Sequence, residues 1–484
     1  MSWLAAPDYW IGRLLIERAV AGVYLIAFLI ALDQFVPLLG ERGLLPVPRF
    51  LRLASFREAP SLFHWRYSDR LLRAVAGLGA ALAAGTVLGL TDLLPAGAGI
   101  AVWLLIWALY LSIVNVGQTF YAFGWESLLL ETGFLVAFLG PVRAAPPAVV
   151  LWLLRWLLFR VELGAGLIKL RGDPCWRDLT CLCYHHETQP MPNPLSRAFH
   201  HLPRPLHRAE VLGNHLAQLV VPFFLFAPQP LASLAGIVIL ATQGWLVLSG
   251  NFAWLNLLTM TLALAGIDDG FIHRLLPIHV PPPAPLPPAQ AVLSLLLGVV
   301  VGALSWAPAR NLVSRRQLMN FSYNPLHLVN SYGAFGSVTR RRYEIVIEGN
   351  EHPLGEARWR EYEFRGKPGD VRRRPPQVAP WHLRLDWLMW FAAMSPPAAH
   401  PWLAQLLVRL LRGDPATLRL LRRNPFPERP PAVIRARLWR YRFSTSEERR
   451  ASGAWWVREL VGDHLPESRL AGAAGTAPAP SPVG

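Results

Sequence analysis

At 484 residues the chain could hold about three globular domains, yet only 16% of it is charged, against roughly 25% in ordinary soluble proteins. Mean hydropathy is +0.30, which excludes both a string of soluble domains and a disordered polymer. The net charge of +16 comes almost wholly from arginine, since Lys169 and Lys367 are the only lysines; the Lys-rich tails of a nucleic-acid binder are missing, and a basic membrane protein remains.

A bilayer crossing needs about 20 mostly apolar residues. In chain order the clearest runs are 14–32, 71–94, 98–116, 147–170, 231–249 and 289–307, with weaker ones at 125–141, 211–227 and 252–266. They predict nine crossings, within a range of seven to nine. The first run contains Glu17 and Arg18 and has no small-residue cleavage site after it, so it is expected to stay as a membrane helix rather than act as a signal peptide. Residues 277–288 are rich in proline and read as a stiff extended connector. Residues 1–310 hold 20 basic and 16 acidic side chains, and residues 311–484 hold 27 and 15. The expected organisation is therefore a transmembrane domain over 1–310, a soluble domain over 311–466 and a disordered tail over 467–484.

Glu17, Glu126, Glu131, Arg155, Arg160, Glu162 and Lys169 lie within apolar runs. Facing lipid, each would cost several kcal/mol, so they should face the bundle interior and pair. Arg155, Glu162 and Lys169 recur every seven residues and share one helical stripe, which makes Glu162 the expected partner of Lys169. Internal pairs of this kind serve first to hold a bundle together; a polar cavity with chemistry of its own is the second reading. No inverted repeat in the hydropathy supports a transporter.

Two loops are long, 33–70 and 171–210, and both are arginine-rich. With nine crossings they share a face with the C-terminal domain, and the positive-inside rule would make that face cytoplasmic. The second loop holds all three cysteines, Cys175, Cys181 and Cys183, followed by His185, His186, His200, His201 and His207. Thiolate and imidazole are zinc's usual ligands, but this spacing matches no standard zinc site, so no metal and no cofactor is expected. Two states fit the cysteine count: a Cys175–Cys181 disulfide with Cys183 left over, or three free thiols in a reducing compartment.

The soluble part predicts an α+β domain, a small antiparallel sheet on two or three helices. Residues 340–349 and 358–365 alternate as two half-buried strands of a hairpin. Residues 382–394 and 401–413 have helical periodicity, with Gly413 ending the second, and 432–443 alternate as a third strand. Arg340, Arg341 and Arg342 with Arg372, Arg373 and Arg374 could join across the hairpin as one basic patch facing anionic lipid headgroups.

The stretches GLIKLRGDPCWRDLTC and YHHETQPMPNPLS in the cysteine loop, NFSYNPLHLVNSYGAFGSVTRRRYEIVIEG at 320–349 and WREYEFRGKPGDVRRRPPQVAPWHLRLDWLMWFAA after it resemble the lipase maturation factor family over about residues 10–466. The resemblance implies a multi-pass membrane protein that helps exported clients, lipases among them, reach their active dimeric form, by folding or assembly assistance rather than a settled catalytic reaction. Its partners would be those clients and the lipid bilayer. Cys175 and Cys181 fall on family positions, whereas Cys183 stands where the family has an aromatic residue; on an oxidising face the first two are expected to form a disulfide. The resemblance also implies that the large domain lies on the lumenal side of the endoplasmic reticulum membrane or, in a bacterium, in the periplasm beside the inner membrane, opposite to the charge-based orientation. In the run 330–336, with Arg340 beyond it, Asn330, Tyr332, Gly333, Phe335, Gly336 and Arg340 are candidates for client contact, beside a purely architectural role. More remotely, Ala165–Trp176 is similar to a stretch of the vitamin K-dependent gamma-carboxylases, which would make Lys169 a catalytic base in a membrane enzyme. Otherwise Lys169 snorkels to the interface at the end of its helix.

Overall fold

A computed structural model describes residues 2–275, 278, 280–352 and 358–470. They form two compact units: Met1–Arg340 with Pro376–Arg384, and Arg341–Pro375 with Leu385–Gly484. The division falls at 340 rather than 310 because residues 311–340 fold onto the helices: Gln317 Nε2 donates to the Gly164 carbonyl (2.9 Å) and the Asn330 carbonyl accepts from Arg160 (2.6 Å).

The first unit is a helical bundle. Among the described residues, five of its helices are long and apolar enough to cross a membrane: Pro7–Leu39, Asp69–Val87, Ala96–Asn115, Arg204–Phe226 and Leu231–Ser249. The pair Pro288–Leu304 and Trp306–Val313, bent by 43°, makes a sixth if it is one span. The run 147–170 is the 24-residue helix Ala148–Arg171, set apart from those five by charged residues spread along its length, Arg155, Arg160, Glu162, Lys169 and Arg171. The weaker runs at 125–141 and 252–266 give short helices, Gly124–Val136 and Leu255–Ala263, which are below spanning length on their own. The run at 211–227 starts earlier than its apolar residues suggest, at Arg204, so the cysteine loop is shorter than 171–210. In the connector 277–288, residues 277 and 279 lie outside the described residues.

Two helix starts show how the bundle is locked. The Asp269 carboxylate accepts from the backbone N–H of Trp10 (2.8 Å) and Ile11 (3.0 Å), satisfying amides that have no partner within their own helix. Ser68 caps Asp69–Val87 by accepting from Leu71 N–H. The in-span polar residues turn inward as their cost in lipid requires, but fewer of them form ion pairs than the sequence implies. Arg155 donates to the carbonyls of Ala265 (2.8 Å) and Leu225 (3.2 Å) rather than to Glu162.

The second unit is α+β. Its main sheet is antiparallel, in the order Arg360–Glu361, Arg342–Asn350, Val433–Phe443, Trp456–Ser468. Val346, Tyr441, Phe443 and Trp456 form a core on one side, and the apolar stripe of helix Pro401–Leu411 is buried. Gly413, at φ +62°, follows that helix in the left-handed conformation that ends helices. Three expectations need correction. The strand at 340–349 is buried on both faces, because Glu344 is neutralised inside by Arg342 (2.5 Å) and Lys367 (2.8 Å). Arg342 is therefore not part of a surface patch, and Arg373 donates to the Phe364 carbonyl (2.7 Å). The tail does not begin at 467: the last strand runs through Ser468, and residues 471–484 lie outside the described residues. That strand escaped sequence reading because Gly462 and Pro466 interrupt its pattern and its side chains are largely exposed.

Candidate functional site

The site is built on the C-terminal half of helix Ala148–Arg171. Gly164, Ile168 and Gly172 lie four residues apart on one stripe. A Cβ on Gly164 would stand 2.4 Å from the Tyr332 carbonyl oxygen, and one on Gly172 would stand 2.2 Å from that of Gly336. The missing side chains let the segment 330–336 lie directly along the helix, with Gly333 and Gly336 against Ile168. Asp173 N–H donates to the Gly336 carbonyl (2.8 Å) where the helix ends. Replacing Gly172 by Ala should force these backbones apart and cost about 1–3 kcal/mol, as overpacking does; a thermal melt of the purified protein would check it.

The other end of the segment is held by a buried cluster. Glu131 accepts from Arg160, from Asn330 N–H (3.0 Å), from Asn330 Nδ2 (2.9 Å) and from the Tyr332 hydroxyl (2.7 Å). Asn330, Tyr332, Gly333 and Gly336 are thus interior residues. Phe335 and Arg340 keep access to solvent.

Cys175 and Cys181 are joined by a disulfide (Cα–Cα 4.8 Å), and Cys183 is free. The bridge is buried in a cluster of Trp176, Val211 and Val338, with Leu179, Tyr184 and Phe335 packed around it. Trp176 Nε1 donates to the Phe335 carbonyl (2.8 Å). Asp173 joins the cysteine loop to the strap, the stretch from Asn330 to Arg340: it caps Pro174–Arg177 through Cys175 N–H (3.0 Å) and accepts from Arg340 Nη1 (3.0 Å) and Nη2 (2.8 Å). The Arg340 guanidinium and the backbone N–H groups of Cys175 and Val338 hold the Asp173 carboxyl below the usual carboxylate range. Arg340 also covers the Tyr184 ring at 4.8 Å. Asp173→Ala should cost about 1–2 kcal/mol through the lost cap and loosen Arg340, seen as faster proteolysis near 340. Thiol labelling of the intact protein should modify Cys183 alone before reduction and all three cysteines after it. Closing so short a loop stabilises by about 2–3 kcal/mol on the chain-entropy estimate.

Lys169 is buried, 5% exposed, and does not snorkel. Its ammonium donates to Asn214 Oδ1 (3.0 Å) and Gln218 Oε1 (2.8 Å) and lies 4.9 Å from the Trp176 ring centre. Glu162 is not its direct partner. Gln218 stands between them, and Glu162 also accepts from Gln243 (2.8 Å), whose Oε1 accepts from Asn256 (2.7 Å). The sequence missed Asn214 and Gln218 because neutral amides on an amphipathic helix stand out from no background.

Among the described residues, two side-chain groups have the composition of metal sites: Asp173 with Cys175 and Cys181, and His186 with His207 and Glu210. The sulfurs of the first are bonded to each other and are not thiolates. The second retains its donors.

Residues 11–274 match the family model "Lipase maturation factor transmembrane domain", and residues 328–466 match "Lipase maturation factor C-terminal domain". The chain is 42% identical to lipase maturation factor 1 of Bos taurus, covering 96% of this chain and 90% of that protein. It is 41% identical to the Homo sapiens protein of the same name, over 96% and 89%, and 32% identical to lipase maturation factor 2 of Mus musculus, over 94% and 82%. No solved structure matches. With its long apolar helices the chain is a multi-pass integral membrane protein, and it belongs to the lipase maturation factor family.

Proposed function

We propose that this protein is a membrane-bound maturation factor that assists exported proteins, lipases in particular, to reach their active assembled form. The observation that carries the reading is similarity along almost the entire chain, through both units, to proteins named for lipase maturation. The buried disulfide supports placing the cysteine loop in an oxidising compartment, because such bonds do not persist in a reducing one. That favours the lumenal or periplasmic face over the cytoplasmic face that arginine counting suggests; the rule is weak for long loops and whole domains. Phe335, Tyr184 and Arg340 form the solvent-reachable edge of the strap and cysteine loop, and they are the side chains we assign to client contact.

The role of Lys169 is structural in this reading. Its ammonium donates to two amide oxygens on the facing helix Arg204–Leu219, Asn214 Oδ1 and Gln218 Oε1, and so ties that helix to Ala148–Arg171. In cells lacking their own maturation factor, expression of this chain should raise secreted lipase activity several-fold at equal lipase mass, and Lys169→Met should retain most of the gain. No gain from the wild type would overturn the maturation reading. Loss in Lys169→Met at unchanged protein level would favour the membrane enzyme. A periplasmic reporter fused after residue 466 should be active in a bacterial host; a silent one beside an active cytoplasmic fusion would restore the charge-based orientation.

A further inference from the structure

His186 lies on the short helix Leu182–Thr188, and His207 and Glu210 lie one turn apart on Arg204–Leu219. His207 Nδ1 is 3.1 Å from Glu210 Oε2, and His186 Nε2 is 3.8 Å from the same oxygen. The three ligand atoms all lie within 4.8 Å of one another. Tetrahedral zinc with bonds of about 2.0–2.1 Å needs roughly 3.3 Å between its ligand atoms, so small side-chain adjustments would complete the geometry.

The surroundings orient two of the donors, His207 and Glu210, toward one point. His207 Nε2 faces the His200 carbonyl at 3.4 Å; a proton there leaves the Nδ1 lone pair toward Glu210. Trp245 Nε1 donates to Glu210 Oε1 (2.9 Å), leaving Oε2 for a further ligand. Backbone or side-chain partners that fix ligand tautomer and orientation in this way are characteristic of metal sites. His186 is the independent sign. It is only 2% exposed, and neither ring nitrogen has a hydrogen-bond partner. A buried, unsatisfied imidazole is costly unless something else occupies its lone pair.

We propose that His186 Nε2, His207 Nδ1 and Glu210 Oε2 bind one divalent cation of the zinc class, with a fourth position open to water. Two imidazoles and a carboxylate favour zinc over calcium or magnesium, which prefer oxygen. The cation would clamp the cysteine-loop helix Leu182–Thr188 to Arg204–Leu219, so its role is to hold the loop in place. Sequence spacing concealed it because Glu210 lies beyond the histidine cluster, at the edge of the apolar run 211–227.

The test uses the full-length protein, purified through a histidine-free tag, stripped with chelator, reloaded with zinc and desalted. Elemental analysis should find one zinc per chain in the wild type and in Cys183→Ser, and at least a tenfold smaller amount in His186→Gln and Glu210→Gln. Cobalt in place of zinc should give the intense visible bands of a tetrahedral site. Chelator should lower the melting temperature of the wild type, and zinc should restore it, a readout that needs no variant. The proposal fails if the wild type, once stripped, reloaded and desalted, retains no zinc. It fails equally if well-folded His186→Gln and Glu210→Gln, monodisperse on size exclusion, retain as much as the wild type.

Discussion

Glu131→Ala is expected to remove about 3–5 kcal/mol of stability, the usual consequence of leaving one member of a buried ion pair alone. Arg160 and Glu131 are 1% and 0% exposed, so the bare guanidinium cannot be rescued by water. The same substitution takes away the acceptor for two Asn330 donors and the Tyr332 hydroxyl, which frees the segment 330–336 from its helix. Thermal unfolding in detergent should show a large fall, with new proteolytic cleavage around 330–336. Pairing Glu131→Ala with Arg160→Met should recover part of the loss, because the double variant buries no unpaired charge. Equal or additive losses in the double variant would show that packing, not charge, dominates here.

Arg384→Met should be of similar size, about 3–5 kcal/mol. Arg384 Nη1 bonds both Glu126 Oε1 (2.7 Å) and the Phe120 carbonyl (2.8 Å), and its guanidinium covers the Tyr121 ring at 3.4 Å. Gln34 fixes the backbone on either side, accepting from Arg384 N–H (3.0 Å) and donating to the His382 carbonyl (2.8 Å). The segment Pro376–Arg384 thus belongs to the helical unit although the chain on both sides does not. The expected result is protease sensitivity at 376–384 together with the loss of melting temperature. Stability within 1 kcal/mol of the wild type would mean that Tyr110, which also bonds Glu126, suffices to keep that carboxyl satisfied.

Apolar run length was enough to locate the helices, and strict alternation in AVIRARLWRYRF located the strand Val433–Phe443. These patterns are local, and local patterns survive in one sequence. Pairings across distance do not. Glu126 and Arg384 are 258 residues apart, and nothing near either names the other. The same limit hid the Gln218 relay between Lys169 and Glu162 and the burial of Glu344 beside Lys367. The glycines of the 330–336 run had a visible signal, but their reason lies in the facing glycines, Gly164 and Gly172, of another element. The short apolar helices show the converse failure: an apolar run marks burial without saying whether lipid or protein covers it.

The central claim is that the chain promotes assembly of a client without chemistry of its own. It is tested most directly by the fraction of a co-expressed lipase that sediments as active dimer. That fraction should rise several-fold with the wild type and stay raised with Lys169→Met. A dimer fraction that is the same with and without the chain, in cells where both proteins are present at normal levels, would contradict the account.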